Sequence, residues 1–221
     1  MIEFAIVAIA YGLIFVAVEL LAAKLHPPGE ETRKLSHMLA GVGAALLPFV
    51  LSFNQIALLG ALFVPAVFIS MRSNLFKSVH KVKRVTYGEL YFPLAISLCA
   101  LLFPDRLLFM YGVLVIGISD ALASLLGLRF GRKKYKSPDG YKSFVGSGAF
   151  FVSTVIIGTT LVLMHINTPV WVALMWSIVL AAILTVIEAR SHKGIDNLLV
   201  PLAGSGLLGF FVTFGFFGIE L

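Results

Sequence analysis

Long apolar runs, broken at short polar intervals, dominate the chain. Helix-length runs fall at 2–25, 35–52, 55–71, 87–103, 107–128, 144–165, 169–189 and 197–219, with Gly, Pro and charged residues gathered between them. Crossing a bilayer takes roughly 20 apolar residues in a helix. The pattern therefore predicts an all-α integral membrane protein of about eight transmembrane helices, a single polytopic domain over 1–221. Short loops leave no room for a separate soluble domain, so any chemistry is expected within or just above the bundle. The first run is too long for a signal-peptide core and lacks a basic start and a small-residue cleavage site, so it reads as a retained helix.

Composition agrees: 59% of the 221 residues are hydrophobic and only 13% are charged. The single cysteine, Cys99, lies in an apolar run and excludes a disulfide framework. The charges set an orientation. Lys24, Arg33 and Lys34 follow the first run. Arg72, Lys77, Lys81, Lys83 and Arg84 follow the third. Arg129, Arg132, Lys133, Lys134, Lys136 and Lys142 follow the fifth, and Arg190 and Lys193 the seventh. Arg106 alone lies on the other side, so sixteen of the seventeen Lys and Arg fall in alternate loops. The positive-inside rule makes those loops cytoplasmic and puts both termini outside. In the 72–86 loop, Leu75, Phe76, Val79 and Val82 form an apolar stripe, which suggests a short amphipathic helix in the headgroup region. A plain basic loop that only sets topology is the competing reading.

Ionisable residues within a membrane segment are costly and are candidates for function. Asp120, in GISDALASLLG, is the clearest. Ser119 and Ser124 flank it, Ser124 four residues on and on the same helical face. A carboxylate there suits a divalent metal or the proton of a hydroxyl group; a structural hydrogen bond is the alternative. The following GLRFGRKKYKSPDGYKSFVGS combines Gly127, Gly131, Gly140 and Gly146 with Arg129, Arg132, Lys133, Lys134, Lys136 and Lys142. Backbone N–H groups and cations are what a polyphosphate requires, and Ser143, Gly146 and Ser147 open the next helix, where a phosphate is favoured. Topological anchoring would explain the same charges.

Glu188, Asp196 and Asn197, in EARSHKGIDNLLVPLAG, stand at adjacent cytoplasmic helix ends and suit sharing Mg²⁺ with Asp120. Asp196 also reads as a helix cap. In TRKLSHMLAG, Arg33 and His37 share a helical face beside Lys34, a plausible clamp on a transferring phosphate; interfacial snorkelling is the alternative. Glu89, near the start of the fourth run, and Glu19, in the first, are further candidates. All of these lie toward one side. A transporter would place polar residues near the midplane, so the pattern favours chemistry at the cytoplasmic interface.

Together, RKLSH, SDALASLLGLRFGRKKYKS…KSFVGS and EARSHKGIDNLLVP resemble the dolichol kinase, phytol kinase and CTP-dependent diacylglycerol kinase family of membrane enzymes, itself distantly similar to phosphatidate cytidylyltransferases. The resemblance covers roughly residues 30–204. It implies transfer of the γ-phosphate of CTP to a lipid alcohol with magnesium. Arg33 and Lys34 match the family's basic pair, Asp120 its central aspartate and Gly127 the following glycine. Lys142, Ser143 and Gly146 match the motif at the next helix, and Glu188, Asp196 and Asn197 the late acidic motif. The Asp-Arg-x-Asp ending of the cytidylyltransferases is absent, which favours a kinase. The chain is also shorter than eukaryotic dolichol kinases, which leaves the acceptor open among polyprenol, dolichol, phytol-like alcohols and diacylglycerol.

The expected partners are thus a membrane lipid alcohol and a nucleoside triphosphate, with no nucleic acid, and a homodimer through any lipid-facing stripe. Either Asp120 or Glu89 takes the hydroxyl proton on this reading. A cytidylyltransferase making a CDP-lipid, and a lipid or small-molecule transporter, are the competing functions. Compactness suggests a prokaryotic plasma membrane.

Overall fold

The computed structural model describes residues 4–7, 9–10, 12–13, 30–73 and 87–217. The first apolar run beyond its few described positions, Glu19, and the expected amphipathic helix of 72–86 beyond Ser73 lie outside those residues. The described positions among 4–13 are helical, and from Glu30 on the described residues form seven α-helices in succession. They are α1 (Glu30–Leu46), α2 (Phe53–Ser73), α3 (Gly88–Leu102), α4 (Arg106–Phe130), α5 (Phe144–His165), α6 (Val170–Arg190) and α7 (Asp196–Thr213). Five of them, α2 and α4–α7, are long and apolar enough to cross a membrane, and α3 is a shorter apolar helix.

Local chemistry explains the helix starts. Ser52 and Gln55 form a reciprocal cap before α2: Ser52 N donates to Gln55 Oε1 at 2.9 Å, and Gln55 N to Ser52 Oγ at 3.4 Å. Asp105 caps α4 by accepting from Leu108 N at 3.1 Å, and Ser143 caps α5 by accepting from Gly146 N at 3.0 Å. Asp196, in contrast, is not a cap. It is the first residue of α7, the capping position is Ile195, and the Asp196 carboxylate accepts from the neighbouring Asn197 N at 3.1 Å. The helix-cap reading of Asp196 is corrected accordingly.

α4 is the axis of the bundle. It packs against α1, α5 and α7, while α2 lies on α3, α3 on α7 and α5 on α6. In α4, 72% of the most apolar stretch is buried in protein, against 28–39% in the other four spans. Tyr111, Phe109, Val113, Val115 and Ile116 of α4 are enclosed with Phe150, Leu180, Leu184 and Leu208 from α5, α6 and α7. The outward faces are apolar as well: Leu62, Ile69, Ile156, Trp171, Val186 and Phe210 are all exposed, as lipid contact requires.

Three features depart from the expected pattern. α7 ends at Thr213 rather than near 219, with turns over 214–217 where Gly215 takes φ +70. α1 begins at Glu30 rather than near 35, so Arg33 and Lys34 sit inside the helix. Hydropathy places the boundary late because charged residues count against a span even when they are helical and buried. The segment expected as an irregular loop also contains an antiparallel hairpin, β1 (Lys134–Ser137) with β2 (Gly140–Ser143). Its turn, Pro138-Asp139-Gly140, uses a proline followed by an Asp-Gly pair, and Gly140 has φ +118. The protein is mostly helical rather than wholly so.

Candidate active site

Asp120 owes its position to a kink in backbone hydrogen bonding. Within α4, Val115–Ser119 form a π turn, and Asp120 is the first residue after it. Such turns re-aim the side chains that follow and recur at functional sites. α1 crosses α4 at this turn through two glycines. A Cβ on Gly41 would lie 2.6 Å from Gly117 Cα, and one on Gly117 2.9 Å from Gly41 Cα. Only glycine at both positions permits backbone contact, a small-residue crossing typical of membrane helices. Two turns back along α1, that contact sets Lys34 against Asp120.

The Lys34 ammonium donates to Asp120 Oδ2, with each side chain only 6% exposed. His37 Nε2 stands 4.0 Å from the same oxygen. The His37 ring packs on Phe92 of α3, with centroids 4.3 Å apart. Arg33 is buried beside them. On the opposite side, Lys142 of β2 reaches the end of α6, donating to Glu188 Oε1 at 2.6 Å and to the Glu188 backbone carbonyl. Asp196 opens α7 next to it. One carboxylate oxygen each from Asp120, Glu188 and Asp196 lies within 4.8 Å of the others. Asp120 of α4 thus meets two acidic groups from the junction of α6 and α7, with an ammonium group on either flank.

With Arg33, three carboxylates meet three cationic side chains in a largely buried space, and charges there are poorly screened. Two buried acceptors nearby, Glu188 Oε2 and Asn197 Oδ1, have no hydrogen-bond partner among the described residues, nor does His37 Nε2. Oxygen donors, clustering and unused acceptors are the coordination chemistry of a hard divalent cation. The residues present therefore fit such an ion, with Asp120, Glu188 and Asp196 as ligands. Asn197 Nδ2 donates to Gly194 O at 3.1 Å, which leaves its Oδ1 as the available atom.

The hairpin is strapped over this cluster. Ser137 Oγ donates to Ala189 O at 3.3 Å, and Asp139 accepts from Lys193 N. Tyr135 OH and Ser147 Oγ are 2.6 Å apart. Lys193 and Gly194 form a left-handed turn, with φ of 50 and 82, and Lys193 O accepts from Tyr87 N at 3.0 Å just before α3. Glu89, half-buried in the first turn of α3, is thereby placed near the same loop.

The remaining residues singled out from sequence divide into three groups. Ser119 is fully buried and accepts from Thr154 Oγ1 at 3.1 Å, so it joins α4 to α5; Ser124 is half-buried on the following turn. Gly127, Gly131 and Gly146 crowd Ser143. A Cβ on Gly127 would lie 2.8 Å from Ser143 Oγ, and one on Gly146 2.7 Å from Ala123 O. These glycines permit close contact between the end of α4 and the start of α5. Arg129, Lys133, Lys134 and Lys136 are exposed, and only Lys142 of the basic loop turns in to the carboxylates. The contacts missed from sequence are Gly41 with Gly117, and the straps from Ser137 and Asp139. The Pro-Asp-Gly turn was the available signal for the latter; nothing in the sequence pairs the two glycines.

Apolar helices around a largely buried group of three carboxylates and two lysines make this an integral membrane protein with a polar centre. No family model matches the chain, and no solved structure matches it. A phytol kinase from Synechocystis sp. is 30% identical over 202 residues, spanning 89% of this chain and 85% of the relative. The chain belongs to the polyprenol and phytol kinase family. The matched length is nearly the whole chain, the residues of the cluster included.

Proposed function

We propose that this protein is a membrane lipid-alcohol kinase that transfers the γ-phosphate of CTP to the hydroxyl of a polyprenol, phytol-like alcohol or diacylglycerol. The observation that carries this reading is the meeting of Asp120, Glu188 and Asp196 between Lys34 and Lys142; family membership points the same way. The acceptor oxygen forms a bond to the γ-phosphorus, the bond to the β,γ-bridging oxygen breaks, and CDP leaves. The hydroxyl proton passes to a carboxylate, with Asp120 and Glu89 the two candidates. Mg²⁺ held by Asp120, Glu188 and Asp196 would neutralise donor phosphates and fix their orientation.

The side chains of this chain do the rest. In the resting protein Lys34 and Lys142 neutralise Asp120 and Glu188. A polyphosphate offers them stronger acceptors, and they turn to it. Arg33 adds a third positive charge from the same turn of α1, and His37 buttresses Asp120 from the α3 side. The apolar outer face of the bundle lets the acceptor enter from the bilayer, with its hydroxyl at the interface. The cluster then faces the cytoplasm in an eight-span arrangement with both termini outside, in a prokaryotic plasma membrane.

The test is label transfer by purified protein with Mg²⁺ and a panel of lipid alcohols. Label in lipid from γ-³²P-CTP, and not from α-³²P-CTP, is the expected result, and the labelled product names the acceptor. Label from γ-³²P-ATP would overturn the choice of donor. Label from the α position, with a lipid phosphate present, would make the protein a cytidylyltransferase. No transfer from any donor would sink the enzymatic reading.

A further inference from the structure

The hairpin register splits the basic segment into two faces. Residues opposite each other in an antiparallel pair project to the same side, and β1 pairs with β2 as Lys134 with Ser143, Tyr135 with Lys142, Lys136 with Tyr141 and Ser137 with Gly140. Tyr135, Ser137 and Lys142 point to the helix ends, where they bond Ser147, Ala189 O and Glu188. Lys134, Lys136 and Tyr141 are exposed, Tyr141 to 74%, while Ser143, opposite Lys134 at the base of the hairpin, turns inward to cap α5. A nucleotide bound at the carboxylates would meet the first face and not the second.

What the second face does meet is set by the helices that carry it. The hairpin joins the end of α4 to the start of α5, two membrane spans. Immediately below it, Leu128, Phe130, Phe144 and Val145 are exposed at those helix ends, so the apolar boundary of the bilayer comes up to the base of the hairpin. Arg129, Arg132 and Lys133 are exposed at the same level. An aromatic ring between cations, just beyond an apolar belt, is the composition that sits among lipid headgroups. The straps from Ser137, Asp139 and Lys142 hold this face in place.

We propose that the outer face of the hairpin, Lys134, Lys136 and Tyr141 with Arg132 and Lys133 beside it, binds the headgroups of anionic bilayer lipids. The site has a lipid role separate from the acceptor's, and it assigns these lysines to the membrane and not to the nucleotide. A Lys or Arg near an anionic surface contributes about fivefold in binding, and salt screens it.

Native mass spectrometry of the intact protein from micelles containing equal phosphatidylglycerol and phosphatidylcholine tests the assignment. The wild type should retain phosphatidylglycerol preferentially, and the K134Q/K136Q variant should lose most of that preference. R190Q/K193Q removes the same charge from the neighbouring loop and should keep it. Nucleotide affinity of K134Q/K136Q, measured in parallel, should stay within about twofold of wild type, because neither lysine faces the carboxylates. An unchanged lipid preference in K134Q/K136Q overturns the proposal. So does an equal loss in R190Q/K193Q, or a tenfold fall in nucleotide affinity with the lipid preference intact.

Discussion

Lys34 and Asp120 show why a buried pair has to be tested as a pair. Removing one partner leaves the other charged and unsolvated, at a cost of about 3–5 kcal/mol. Lys34→Met should therefore lower both stability and activity, the latter by about 10²-fold. In Lys34→Met combined with Asp120→Asn, thermal stability should return toward wild type while activity stays absent. A double variant as unstable as Lys34→Met alone would mean the contact does not carry the coupling. Lys142 is less enclosed, its side chain 21% exposed, and in the proposed mechanism it turns to the nucleotide. Lys142→Gln should raise the KM for nucleotide about tenfold, the value of one charge-assisted hydrogen bond, with a smaller change in kcat; steady-state kinetics separates the two. At this scale the sequence was informative about identity, since Asp120, Lys34, Glu188 and Asp196 stand out as charges beside or within apolar runs. It was silent on pairing, because Lys34 and Asp120 are 86 positions apart.

Helix contacts decide whether those side chains meet. Where Gly41 of α1 crosses Gly117 in the π turn, any Cβ forces backbones apart. Gly41→Ile should lower the thermal midpoint and activity together, since overpacking costs about 1–3 kcal/mol and displaces Lys34 from Asp120. Gly148, whose Cβ would have nothing within 4 Å, is the control, and Gly148→Ala should leave both unchanged or raise stability slightly. Circular dichroism melts with parallel activity measurements check both. The spans of α2–α6 were legible to within two or three residues because apolar length is a strong signal. α1 was not, because its first turns carry buried charge. The hairpin was overlooked because four-residue strands rich in lysine lack an apolar alternation, and only the Pro-Asp-Gly turn betrays it. The π turn leaves no mark in the sequence at all, being a response to packing.

For the whole molecule, the proposed topology puts the basic loops, the hairpin and the carboxylates on the cytoplasmic side, and that orientation is open to test. The one natural thiol, Cys99, is buried, so introduced cysteines report alone. Lys136→Cys should react with an impermeant maleimide only from the cytoplasmic side, and Arg106→Cys only from outside; the reverse pattern would invert the protein. Chelation with EDTA should abolish transfer, and added Mg²⁺ should restore it. In the proposed mechanism phosphoryl transfer occurs at Asp120, Glu188 and Asp196. It is tested most directly by γ-³²P-CTP transfer to a lipid alcohol in wild type, Asp120→Asn and Asp196→Asn, each matched for thermal unfolding; Asp196→Asn leaves the Lys34–Asp120 contact intact. Asp120→Asn should lose about 10³-fold and Asp196→Asn most of its activity. Folded variants that transfer label at the wild-type rate would place the chemistry elsewhere.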